Sequence, residues 1–234
     1  MKDLHAVVLA LGLILGFTIF GAFFYGTRAG RDTISVVGSA TERYESDIVK
    51  WQVTVNRTAP TQALTKGFER IADDVATLRG VLMEHGFARG EISVQPVNSY
   101  QTQDRDGRPT GYELNQTVIV ITDKLDQAEE LALDPSIMSK HDIYVRNSRL
   151  EYLLSELSDI KLGLLAAATE DARARAEEIA GHAGVTIGNA SNLRAGVFQI
   201  REPYSTEVSG YGIYNTQSRI KDVTVTVHAT FQVD

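Results

Sequence analysis

Residues 6–25, AVVLALGLILGFTIFGAFFY, are twenty consecutive positions without a charged side chain, five residues from the amino terminus. As a helix rising about 1.5 Å per residue they span roughly 30 Å, the thickness of a bilayer's hydrocarbon core. A cleaved export signal has an apolar region of only about 7–15 residues, followed by a small-x-small cleavage site. This run is longer and ends in bulky Phe23, Phe24 and Tyr25, and the nearest cleavage candidate, Thr27-Arg28-Ala29, has an arginine inside it. The run reads as one retained N-terminal transmembrane helix, after a short tail (residues 1–5) and before a linker (26–32). Cleavage, leaving a soluble periplasmic protein, is the alternative.

Lys2 flanks one side of the run and Arg28 and Arg31 the other, so the positive-inside count is nearly balanced. Long domains translocate largely regardless of charge, and the bulk of the chain follows the anchor. The expected arrangement is a single-pass inner-membrane protein with its C-terminal domain in a bacterial periplasm. Gly12 and Gly16 form a GxxxG, a pattern through which membrane helices pack closely, although a glycine-rich segment also produces it by chance.

Beyond the anchor lie about 200 residues, enough for a domain with a real core. With Lys2, Arg28, Arg31, Asp3 and Asp32 set aside, they hold 20 basic and 28 acidic residues. An acidic surface without a basic stripe argues against nucleic acid as a partner. The absence of cysteine removes thiol nucleophiles, cysteine-ligated zinc and lipid-modified cysteine.

The stretch 33–46 reads as a strand with Gly38 as a bulge or close-approach point. Residues 51–58 alternate Trp51, Val53 and Val55 against Gln52, Thr54 and Asn56, the period of a half-buried strand. Pro60 then opens a helix with Leu64, Phe68, Ile71, Val75, Leu78 and Leu82 on one face, closed by His85-Gly86. Strands are expected at 91–103 and 112–123 around the turn 104–111, and a short helix at 124–133 stopped by Pro135.

Residues 148–184 allow two readings. One is a single helix of nearly 35 residues, far above the usual length. The other is a strand at 149–157 and a helix at 160–183, capped by Ser158 or Asp159. The second reading repeats the element order of the first half, with a strand near 192–202, a loop at 203–219 and a strand at 220–233. The fold class expected is α+β: two β-α-β-β-type repeats, about 33–134 and 143–234, with long helices packed on antiparallel sheet. Ala168, Ala172, Ala176, Ala180 and Ala183 form a small-residue stripe on the second helix, suited to core packing or to a seam between subunits.

The segments ISVVGSA, GYELNQTVIVITD, AAATEDARARAEEIAGHAGVTIG and DVTVTVHATFQV, together spanning about 33–233, resemble the SIMPL-domain family. That family includes bacterial periplasmic immunogenic proteins and a mammalian partner of a Pelle-like kinase. ERYESD (42–47) departs from the family's frequent proline before the aspartate, and the anchor departs from relatives read as having a cleaved signal. The resemblance implies helices on antiparallel sheet, an extracytoplasmic location, large ring- or channel-like homo-oligomers, and links to oxidative-stress tolerance and the cell envelope. It supplies no catalytic residues.

The residues themselves offer little chemistry. His5, His85, His141, His182 and His228 include no i, i+4 pair with a glutamate, and there is no nucleophile elbow or phosphate loop. No catalytic, cofactor-binding or metal-binding residue is assigned, and no cofactor is expected. Asn56-Arg57-Thr58 and Asn189-Ala190-Ser191 match a glycosylation acceptor, relevant only in a eukaryote. Tyr204, Tyr211 and Tyr214, in the glycine-containing segment 201–218, are candidate oligomer contacts, against the plainer reading of a disordered loop.

The function expected is a non-enzymatic, membrane-anchored envelope protein whose partners are the membrane, through residues 6–25, and further copies of itself. An adaptor presenting a loop or sheet edge to a heterologous protein is the alternative. An enzyme with an unrecognised polar site ranks last.

Overall fold

The computed structural model describes the backbone of residues 2–28 and 32–234, and side chains for 11–24 and 32–234. Compact packing divides the chain into two units: residues 1–40, 165–196 and 226–234 form one, and 41–164 with 197–225 form the other. The fold is α+β, with two sheets and five α-helices among the described residues. Each unit draws on both the 33–134 and the 143–234 halves.

Helix α1, Lys2–Arg28, continues past both ends of the apolar run. All the side chains described in it, 11–24, are exposed. Among the described residues no helix is long and apolar enough to cross a membrane. The linker 26–32 falls partly within α1 and partly on 29–31, outside the described residues.

The larger unit is built on an antiparallel sheet. Strand β2 (Ile48–Pro60) pairs on one side with β5 (Pro109–Thr122), Trp51 opposite Val120, and on the other with β6 (Val145–Leu153). Strands β3 (Ile92–Val94) and β4 (Asn98–Gln103) both pair with the far side of β5. Pro96 lies between them, where a residue without a backbone N–H ends the ladder. Val49, Trp51, Val53 and Val55 are all buried, so the alternation seen over 51–58 extends to 49.

Helix α2 (Leu64–Glu84) covers this face with Ile71, Val75, Leu78, Val81 and Leu82. Burial of each such side chain contributes about 1.5–3 kcal/mol. Two details differ from the sequence reading. Pro60 ends β2, and a 3-10 turn over 61–63 precedes the helix. Phe68 is exposed, because the apolar stripe turns toward Val81 instead. At the other end His85 accepts the cap position, its N–H donating to Val81 O at 3.1 Å, and Gly86 takes φ +88°.

Helices α3 (Leu125–Leu133) and α4 (Pro135–Lys140) follow β5, with Pro135 opening α4 as well as stopping α3. The single long helix over 148–184 does not form. Strand β6 ends at Leu153 and helix α5 runs Leu157–Ala183. The helix starts ahead of Ser158 and Asp159, because the N–H groups of Asp159 and Ile160 both reach Glu156 O at 3.1 Å. The expected strand at 192–202 is two strands, β7 (Ile187–Ala195) and β8 (Gln199–Arg201), broken where Gly196 N–H donates to Thr226 O at 2.8 Å.

The second sheet has the order β1 (Thr33–Glu45), β10 (Ile220–Val233), β8 and β9 (Ile213–Tyr214), with β7 also pairing β10. In the smaller unit Ala172 and Ala176 of α5 pack with Ala229 and Phe231 of β10, and with Ile34 and Val36 of β1. Ala168, Ala172, Ala176 and Ala180 are buried, while Ala183 is exposed past the end of the stripe. Gly38 is the close-approach point: a Cβ there would lie 2.2 Å from Ala168 O.

Candidate functional site

The segment joining β8 to β10 contains the three tyrosines, and its backbone is tied down along its length. The Gln199 amide donates to Ser209 O at 2.7 Å, and Arg201 donates to Glu207 O at 3.0 Å. Strand β9 lies parallel to β8, and the Asn215 N–H reaches Ile200 O at 2.9 Å. Asn215 Oδ1 then accepts the N–H groups of Gln217 and Ser218, closing a tight turn. The plainer reading of 201–218 as a disordered loop is therefore corrected by these bonds.

Lys221 holds the C-terminal end of the segment. It is 0 % exposed, and its ammonium donates to Asn215 O and Ser218 O, both at 2.6 Å. Burial pulls its pKa down to about 8. Sequence reasoning passed over this residue, yet the signal was present: on β10 it shares the odd-numbered face with Val223, Val225 and Val227, all buried.

On this frame the tyrosines project outward. Tyr204 is 87 % exposed, Tyr211 fully exposed and Tyr214 44 % exposed, with Val208 exposed among them. Tyr204 has φ +65°, a conformation uncommon for a bulky residue. The Arg43 guanidinium lies 4.8 Å from its ring centroid and pairs with Asp222 at 2.7 and 3.0 Å. The Asp222 carboxyl is held below its usual range by the hydrogen bond from Arg43, with the Tyr204 N–H adding to it. A strained residue braced in this way keeps an aromatic face at the surface.

Gly12 and Gly16 lie on α1, where an added Cβ would meet nothing within 4 Å. With Leu13, Phe17 and Phe20 they lie along one face of that helix, where the two glycines leave a shallow notch between the larger side chains. They and the three tyrosines all lie on exposed surface, on different elements.

The polar clusters described are ion pairs and hydrogen-bonded carboxylates. Arg219 bonds Glu45 at 2.8 Å and Asp126 at 2.6 Å, with Glu129 at 3.4 Å, and hydrogen bonding to Asp126 raises its pKa. Arg57 bonds Asp74 through both carboxylate oxygens and reaches Asp142 O at 2.6 Å. For Asp47, burial is outweighed by the hydroxyl and N–H of Ser155, which leave its carboxyl below its usual range. His85, His141, His182 and His228 are exposed, and His5 lies outside the described side chains. Among the described residues no group of three or more histidines or carboxylates is placed to hold a metal ion. Asn56 is not a free acceptor, since its amide donates to Glu113 Oε1 and Asn115 Oδ1 at 3.0 Å.

No curated protein matches the chain in sequence. The family model of SIMPL, described as a protein of unknown function (DUF541), matches residues 34–231, which takes in both sheets, α2–α5 and the tyrosine segment. A match over that much of the chain places it: the protein belongs to the SIMPL family.

Proposed function

We propose that the chain is a non-enzymatic, membrane-tethered cell-envelope protein that self-associates through its SIMPL domain, the helix lying in the inner membrane and the domain in the periplasm. The observation that carries the reading is the circumference of α1: its described side chains, Leu11 to Phe24, are uncharged and exposed all the way round. A helix apolar on every side needs an apolar surrounding. The described stretch alone rises about 21 Å, and the uncharged run 6–25 about 30 Å, the length of a bilayer core.

Self-association is supported by the tyrosines on their anchored segment, since exposed aromatic side chains held at low entropic cost are what interfaces use. Tethering confines copies to one plane and raises their effective concentration, so weak contacts suffice. The non-enzymatic reading rests on the polar clusters described, whose charged groups are engaged in ion pairs and hydrogen bonds. A part in envelope integrity or oxidative-stress tolerance rests on the family resemblance alone.

The experiment is light scattering on the detergent-extracted full chain, combined with the intact mass of the mature protein and protease access from the periplasmic side. Oligomers of a chain retaining residues 6–25, digested from outside, are the expected result. A monomer at high concentration refutes self-association, and a mass beginning near residue 30 refutes the tether. A stoichiometric heterologous partner would favour the adaptor reading.

A further inference from the structure

Trp51, the chain's one tryptophan, sits at the centre of β2 and is 1 % exposed. Its indole N–H donates to Ser148 Oγ on β6 at 2.8 Å. Beside the indole is a cavity of about 270 Å³ between β2, β6 and the α3–α4 turn. Its floor is apolar: Trp51, Val53, Leu131, Met138 and Ile143, all buried. A dry apolar cavity of about 150 Å³ accepts benzene, and drug-sized pockets begin near 300 Å³. The volume therefore suits a single substituted ring.

The rim is built and already satisfied. Asp134 Oδ1 accepts the Ser136 N–H at 2.9 Å, and the Ser139 hydroxyl donates to Ser136 O at 3.0 Å. The Tyr144 ring lies 4.8 Å from the Arg57 guanidinium, which also holds Asp142 at φ +55° through its carbonyl. The mouth is thus pinned by a residue that is itself fixed on Asp74. Ser148 Oγ accepts from Trp51 and keeps its own proton to give. Of the polar side chains in the lining, Asp134 and Ser139 are bonded to the α3–α4 turn at the rim, and Ser148 is the hydroxyl beside the indole. The Asp134 carboxylate at the rim disfavours anions.

We infer that this cavity is a binding site for a small uncharged aromatic molecule carrying one hydrogen-bond acceptor, of the class of benzyl alcohols and phenols. The ring stacks in the Trp51–Met138–Ile143 floor and its oxygen accepts from Ser148. This site is independent of the tether and of self-association.

The test uses the full chain in lipid vesicles, titrated with 4-bromobenzyl alcohol while Trp51 emission is followed. Bromine in contact with the indole quenches it, and partitioning into lipid contributes only a linear background. The expected result is saturable quenching, absent with 4-bromobenzoate, lost in Ala132→Leu, which fills the cavity from α3, and weakened in Ser148→Ala. Ser139→Leu obstructs the mouth from α4 and serves if Ala132→Leu does not fold. A dose-dependent rise in the melting temperature of the unaltered chain is the second readout. Quenching that never saturates, that persists unchanged in the filled variants, or that is equal for the carboxylate overturns the inference.

Discussion

Replacing Gly38 by alanine tests the packing of β1 on α5 with a sign opposite to the ordinary one. Where backbone and space permit, Gly→Ala stabilises by about 0.4–1 kcal/mol, because the unfolded chain loses freedom. Gly38 has no left-handed φ to forbid alanine. Its obstacle is space: the new methyl would lie 2.2 Å from Ala168 O, 2.4 Å from Ala172 N and 2.6 Å from Ala172 Cβ. Two of these are backbone atoms of a helix and cannot rotate away. Reaching ordinary contact needs a separation of about 1 Å between strand and helix, and a gap of that size forfeits a quarter to a half of the dispersion well for the atoms facing it. Those atoms belong to the small core of Ala172, Ala176, Ala229 and Phe231 with Ile34 and Val36. The Ser39 N–H bond to Asp171 Oδ2, now 2.7 Å, would be stretched as well. The cost falls at the upper end of overpacking, about 3 kcal/mol. At about 2–4 °C per kcal/mol, the melting temperature drops by about 6–12 °C. Circular-dichroism melts of the full chain measure it, with Gly163→Ala as control, an exposed position on α5 with nothing within 4 Å of an added methyl. The control gains up to about 1 kcal/mol. A melting temperature for Gly38→Ala equal to or above the wild type would refute the close approach.

Three further outcomes follow from single side chains. Lys221 has a folded pKa of about 8 against an unfolded value of about 10.5, so between those pH values the unfolded chain holds more protons and stability rises with pH, by up to about 1.4 kcal/mol per unit. Below pH 8 both states are protonated and its contribution is flat. Urea midpoints at pH 7.5, 8.5 and 9.5, taken against Lys221→Met, should show the difference widening in the wild type's favour, and a constant or shrinking difference contradicts the lowered pKa. Arg57→Met leaves Asp74, 8 % exposed, without its partner and costs about 3–5 kcal/mol by denaturant unfolding, while adding Asp74→Leu restores most of it. Tyr211→Ser, at a fully exposed position, should leave the melting temperature unchanged while lowering the oligomer mass in light scattering; an unchanged mass removes Tyr211 from the interface.

The alternating strands were legible because burial on one face leaves a period of two that neighbouring elements cannot erase. Trp51, Val53 and Val55 announce β2, and Val223 to Phe231 announce β10. The helix α2 was legible for the matching reason, a stripe at helical spacing. Boundaries were less so. Pro60 suits a first helical turn and a strand end equally, and tertiary pairing with Gly111 decides for the strand. Ser158 and Asp159 are good caps by type, yet the backbone of Glu156 starts α5 a turn earlier. Sheet membership was not legible. Strand β6 follows α4 in the chain and pairs with β2, while β1 pairs with β10, nearly the whole domain away in sequence.

The tyrosines were found by composition, and structure changed what they imply. A segment rich in glycine, serine and tyrosine reads as free chain, and nothing local to it says otherwise. Its order comes from outside: Lys221 beyond its end, Gln199 before its start and Thr216 O accepting the Tyr152 N–H at 2.7 Å. Lys221 could have been caught by parity, since a lysine on the buried face of an alternating strand must find acceptors or lose its proton. The carbonyls it found belong to the tyrosine segment, so the residue that breaks the apolar pattern is the one that orders the candidate interface. A displaced Lys221 would free the carbonyls of Asn215 and Ser218 and loosen that end of the segment, while the bonds from Gln199 and Arg201 and the pairing of β9 with β8 remain. Removing residues 205–217 therefore tests two things at once, the interface and the lysine's acceptors, whereas Tyr211→Ser separates them by changing only what a partner would touch.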